Sequence, residues 1–275
     1  MIADAPVSLN MDELKKRVLS PRILLVEDSP ATRMINVAIL SRYGFEVDTA
    51  ADGVEAVAAV ESLPCDLVLM DVDMPGMDGI TATAAIRELS GSQSNVPIIG
   101  ISAHAPESMR DRCLQSGMND YLTKPLDRQL LLECLARYLS VESNPADDVA
   151  HSKPASTDAR LDLRTLRELA RESSADSIGR MIRIFIDELH DTVQAMRAAL
   201  RGNDAKSLGA NSHSLKNSAA TFGFVAVATL ATKIDAAVRL GNLEKVAVLF
   251  SELEAEVAPS IDAVSNELTE IRSVS

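Results

Sequence analysis

The stretch DLVLMDVDMPGMDG, residues 66–79, decides the fold of the first half of the chain. Its opening Leu/Val run lacks polar alternation, as a strand covered on both faces requires, and the Asp, Pro and Gly that follow end it abruptly. Outward from it, RILLVE (22–27), FEVDTA (45–50), VPIIGIS (96–102) and NDYLT (119–123) are further short strand-like runs. Each is followed by a segment of helical periodicity. Five strand–helix units between Arg22 and Leu139 predict an α/β doubly wound domain, a five-stranded parallel sheet between layers of helices.

From Val141 the text changes to VESNPADDVAHSKPASTDA (141–159), with two prolines, many small polar residues and no apolar period. It reads as a linker. If flexible it would span about 25 Å r.m.s., enough to keep its flanking domains at high mutual concentration. Beyond Leu161 every periodic segment is helical: LDLRTLRELA (161–170), a long segment from Asp176 to Leu200, and three more starting at Asp204, after Gly223 and after Asn242. Short breaks at Gly202, Gly223 and Gly241 predict an all-α up-and-down four-helix bundle preceded by one short helix. Pro259 is expected to interrupt the last helix and kink it. The opening MDELKKRVLS (11–20) reads as either a short amphipathic helix or a disordered tail. The expected division is an N-terminal extension over 1–20, a first domain over 21–140, a linker over 141–159 and a helical domain over 160–272.

Bulk properties exclude several roles. The chain has 275 residues, 47% hydrophobic and 24% charged, enough core material for two domains. A net charge of −13, no Trp, three Tyr and five Phe argue against nucleic-acid binding, which needs clustered cations and stacking aromatics. There is neither a run of about 18 apolar residues nor a signal-peptide pattern in the first twenty, so no membrane insertion and a cytoplasmic location are expected. Cys65, Cys113 and Cys134 are odd in number and lack metal-ligand spacing, so no disulfide is predicted.

In an open parallel sheet, ligands collect at the carboxyl ends of the strands. Here the first strand ends in Glu27 and Asp28, the third in Asp71, the fourth in Ser102 and the fifth in Lys124 before Pro125. Three carboxylates near one point repel one another unless a hard divalent cation compensates them, and oxygen ligands suit Mg²⁺. Phosphoryl transfer needs an in-line nucleophile with cations and donors around the equatorial oxygens. Asp71 can attack, while Mg²⁺, Lys124 and the Ser102 hydroxyl take the developing charge. Asp78 with Gly79 reads as the cap of the third helix, and His104 as a solvated loop histidine.

On these residues the segment 21–140 resembles the receiver domain of two-component response regulators, which implies a flavodoxin-like fold. The resemblance makes Asp71 the phosphoacceptor and gives Glu27, Asp28 and Asp71, with the backbone carbonyl of Asp73, to Mg²⁺. It does not require the Asp73 side chain to take part. It assigns Lys124 and Ser102 to the phosphate oxygens and Tyr121 to the aromatic switch position. Glu27 departs from the Asp common there.

The segment HSLKNSAATFG (213–223) carries the second candidate. At 100° per residue Leu208, Leu215 and Phe222 share one core-facing stripe, and His213 points away from it as an exposed side chain. Gly209, Lys216, Asn217 and Ala220 are its neighbours on that face. Small neighbours admit a partner's acidic site, and a neutral imidazole is a competent nucleophile near pH 7. Residues 160–272 thus resemble the histidine-containing phosphotransfer (HPt) domain, which implies His213 as the phosphorylated residue and Lys216 as its electrostatic partner. The family usually has Gly at the place of Asn217. His190 reads as structural or solvated, and His151 as part of the linker.

The two resemblances together imply a phosphorelay protein rather than an enzyme: Asp71 accepts a phosphoryl group from an external histidine kinase in a reaction its own site promotes, and His213 relays it to or from a response regulator. No glycine-rich nucleotide boxes of a kinase domain are present. The competing reading is a phosphorylation-switched binding protein, or a phosphate sink, whose bundle docks on a kinase or regulator.

Overall fold

The computed structural model describes residues 21–102, 107–124, 126–139, 161–162 and 175–274. They divide into two compact units, one α/β and one helical. The N-terminal extension, His104, Pro125, the linker with His151, and all but the first two residues of the short helix expected over 161–170 lie outside the described residues.

The α/β unit alternates β1 (Arg22–Val26), α1 (Pro30–Arg42), β2 (Glu46–Ala50), α2 (Gly53–Ser62), β3 (Leu67–Asp71), α3 (Gly79–Arg87), β4 (Ile98–Ser102), α4 (Glu107–Gln115), β5 (Asp120–Thr123) and α5 (Arg128–Leu139). The strands form one sheet in the order β2-β1-β3-β4-β5. Every pairing is parallel. Alternate residues of each strand point to opposite faces. Leu24, Val26, Val68 and Met70 pack with Ala56, Val60, Ala82 and Ile86 of α2 and α3 on one face. Ile23, Leu25, Leu67 and Leu69 pack with Leu40, Leu131 and Leu135 of α1 and α5 on the other. That two-sided burial is why β1, β3 and β4 carry unbroken apolar runs, whereas the edge strand β2 does not.

Two local features hold the strand ends. Asp78 caps α3, its side chain accepting from Thr81 N at 2.7 Å. Gly79 follows because nothing larger fits: a Cβ there would lie 2.2 Å from the Asp71 carbonyl oxygen. At the opposite end of the sheet, Arg87 donates to the carbonyls of Gly117, Ser94 and Val96 and to Asn119 Oδ1, each at 2.9 Å. Burial of this guanidinium lowers its pKa from the ordinary arginine value. Arg87→Met strands three carbonyls that a charged donor now satisfies. The expected loss is about 2–3 kcal/mol in urea-induced unfolding, against which a change under 0.5 kcal/mol would show the network to be ornamental.

The helical unit consists of α6 (Ala175–Arg201), α7 (Ala205–Thr221), α8 (Val225–Arg239) and α9 (Leu243–Val274). Each packs on the next, and α9 returns to α6. The connections turn through left-handed residues, Asn203 (φ 51°), Gly223 (φ 74°) and Gly241 (φ 68°), so at the first break Asn203 rather than Gly202 takes the special conformation. Phe185 stacks on Phe222 with centroids 4.5 Å apart and meets Phe224 edge-on at 4.8 Å. The interruption expected at Pro259 does not occur, for α9 runs through it. Leu253, Val257, Ser260 and Val264 are buried along that stretch, and this packing outweighs the one backbone bond a proline removes.

Candidate functional site

Backbone register brings the strand ends together. Glu27 N donates to Ala50 O at 3.1 Å, Val72 N to Ile101 O at 2.8 Å and Lys124 N to Ser102 O at 2.8 Å, so residues just past β1, β3 and β5 converge at one edge of the sheet. There Lys124 Nζ donates to Glu27 Oε2 at 2.7 Å and to Asp71 Oδ2 at 2.6 Å. All three side chains are at most 3% exposed. Asp28 is half-buried beside them.

Glu27, Asp28 and Asp71 each present an oxygen within 4.8 Å of the others. One lysine cannot neutralise three carboxylates. Burial pushes the Asp71 carboxyl up to about 7; Lys124 opposes the shift and the Glu27 charge adds to it. Burial alone would lower the Lys124 pKa, but Asp71 and Glu27 raise it above the ordinary lysine value, so the ammonium stays charged. The donor set is hard, anionic and undercompensated, which fits a divalent cation such as Mg²⁺.

Asp73 ties the remaining residues to this cluster. Its N–H donates to Asp71 Oδ1 at 3.1 Å. Its carboxylate, for which the resemblance required no part, accepts from the Ser102 hydroxyl at 2.7 Å. Tyr121 is buried, 2% exposed, among the α2–α4 side of the core. Burial pushes its phenol up to about 12, and a hydrogen bond with Ser102 partly offsets that.

In the helical unit Leu208, Leu215 and Phe222 are each 1% exposed, so the predicted core stripe of α7 is the observed one. His213 lies off it but is less open than expected, with 14% of its side chain accessible and Nδ1 3.8 Å from Asp235 Oδ2. The reason is helix packing: a Cβ on Gly209, one turn before His213, would sit 3.4 Å from Val238 Cγ1, so α8 runs close alongside. Lys216 and Asn217 are buried as well, 8% and 5% exposed. Arg239 holds Asp235 with bonds of 2.9 and 3.2 Å. Burial would raise the Asp235 pKa, but His213 and Arg239 outweigh it and hold the carboxyl below the usual range. Asp235 escaped the sequence reading because it lies on another helix. Its only trace there is the i, i+4 Asp–Arg spacing within DAAVR (235–239). His190 is exposed.

Comparison with known proteins matches residues 23–136 to the response regulator receiver domain and residues 180–272 to the Hpt domain. Sensor protein GacS of Pseudomonas syringae is 36% identical over 205 residues, 71% of this chain. Signal transduction histidine-protein kinase BarA of Escherichia coli is 28% identical over 260 residues, 93% of this chain. The chain spans only 22% and 27% of those two relatives' own lengths. Among solved structures, the receiver domain of a sensor histidine kinase of Pseudomonas aeruginosa, with a magnesium ion coordinated in its active site cleft, is 42% identical. The match covers 44% of this chain and 98% of that one, with a TM-score of 0.41. Among the described residues no helix is long and apolar enough to cross a membrane.

Proposed function

The chain carries a response regulator receiver domain and an Hpt domain, and on that premise we propose that it is a phosphorelay protein in which Asp71 and His213 hold the phosphoryl group in turn. The observation that carries this reading is the buried constellation of Asp71, Glu27 and Lys124 at the strand ends. We assign residues 21–140 to the receiver and 160–272 to the phosphotransfer domain.

Asp71 attacks the phosphoryl group of a donor phosphohistidine in line: its Oδ–P bond forms, the P–N bond breaks, and the imidazole leaves with the electron pair and takes up a proton. Glu27, Asp28, Asp71 and the Asp73 carbonyl would hold a Mg²⁺ ion, which when bound would supply charge compensation for the equatorial oxygens. Lys124 turns its ammonium from Asp71 to one of those oxygens, and the Ser102 hydroxyl donates to another. Tyr121, already buried beside Ser102, reorients as Ser102 moves.

Return transfer is the same displacement with His213 as nucleophile. Asp235, 3.8 Å from Nδ1, favours the proton on that nitrogen and so makes Nε2 the nucleophile. Lys216 steadies the phosphoryl oxygens. The donor is a histidine kinase and the recipient a separate response regulator, in keeping with the sensor kinases among the relatives.

The test is to load the full chain from acetyl phosphate with Mg²⁺ and follow the label. An acyl phosphate on Asp71 is hydrolysed in base, whereas phosphohistidine survives. Early label is expected to be base-labile, and base-stable label should follow and then pass to an added response regulator. Label that stays base-labile until it hydrolyses would overturn the relay.

A further inference from the structure

One hydrogen bond in the receiver site has no role in the transfer just described. The Ser102 hydroxyl, on a residue with no exposed surface, is given to the Asp73 carboxylate at 2.7 Å. The same Asp73 donates its N–H to Asp71 Oδ1 at 3.1 Å. One short residue thus touches both the acceptor and the hydroxyl that must serve the transferred group.

We propose that the Asp73 side chain is a latch on Ser102, a positioning residue that withholds the hydroxyl from the phosphoryl site until phosphorylation displaces it. The proposal rests on the phosphorelay reading of this site. A serine hydroxyl has one proton, so Oγ donates either to Asp73 or to a phosphoryl oxygen, never to both. A carboxylate is the stronger kind of acceptor, and the bond is short and partly buried. An incoming phosphoryl group has to win the proton from it.

What breaks the latch is charge. A dianionic phosphoryl on Asp71 repels the Asp73 carboxylate two residues away and offers Ser102 an acceptor of higher charge. The released Ser102 then moves relative to Tyr121, whose phenol shares a hydrogen bond with it. Asp73 therefore converts the charge state of Asp71 into the position of the β4 end.

The latch is tested by a double-mutant cycle, which isolates action through one named partner. Asp73→Ala is expected to label from acetyl phosphate roughly tenfold faster than the parent chain when Ser102 is present. In a Ser102→Ala background the same substitution should change the rate less than twofold. Asp73→Asn keeps the shape and a weaker, neutral acceptor, so its gain should be intermediate, and it carries the test if the alanine variant misfolds.

An equal gain in both backgrounds would mean that Asp73 acts by charge repulsion alone and would overturn the latch. So would no gain in either. A fall in Mg²⁺ affinity as large as the kinetic change, read by tyrosine emission in a chain without Trp, would make the side chain a metal ligand and likewise overturn it. A parent chain that takes no label at Asp71 would instead refute the relay reading beneath.

Discussion

Asp71→Asn is expected to abolish labelling from a phosphodonor, by at least about a thousandfold, while making the metal-free receiver more stable. The first effect follows from chemistry: the amide that replaces the carboxylate has no lone pair able to attack phosphorus at a useful rate. The second follows from the site. Burial is the largest influence on the Asp71 carboxyl and holds it at about 7, against about 4 in an unfolded chain.

Between those values the folded protein binds the proton and the unfolded chain does not, so stability falls as pH rises through that window. Above about pH 7 the full cost of the buried charge is present. Asparagine removes it and keeps the shape, at the loss of one bond from Lys124, which retains Glu27. The net gain at pH 8 should be on the order of 2 kcal/mol in urea denaturation with a chelator present, shrinking towards zero near pH 4. Adding Mg²⁺ should stabilise the parent chain more than the variant. A variant less stable than the parent at pH 8 would show that the Lys124 bond outweighs the burial of charge.

The second large effect is expected at His213. His213→Gln should eliminate base-stable label, at least a hundredfold, while base-labile label on Asp71 rises at the normal rate and accumulates. Glutamine keeps a polar side chain of similar reach but offers no nucleophilic nitrogen. Asp235→Asn should reduce the same step by roughly tenfold, because the Nδ1 proton then meets a neutral acceptor and the imidazole is less firmly oriented. Normal base-stable label in the glutamine variant would move the second phosphorylation to another residue and sink the assignment of His213.

Much of this molecule was legible in the residue order, for a local reason. An apolar run such as DLVLM shows where a buried strand lies and, by its sudden end at Asp71, where the sheet stops. In a parallel sheet those ends lie side by side. Placing Glu27, Asp28, Asp71 and Lys124 together therefore required only the strand ends and their common direction. The core stripe of α7 was readable for the same kind of reason, since a helix repeats itself every few residues.

Tertiary structure alone decided the rest. The Ser102–Asp73 bond joins residues 29 apart and the His213–Asp235 contact joins two helices, and neither distance is encoded in any spacing along one element. Pro259 belongs to the same class, because a proline breaks an isolated helix, while α9 continues through it with a face buried against its neighbours. Periodicity determines which way a side chain faces. What it meets there depends on how closely the facing element packs, and the partners of Ser102 and His213 were set at that level.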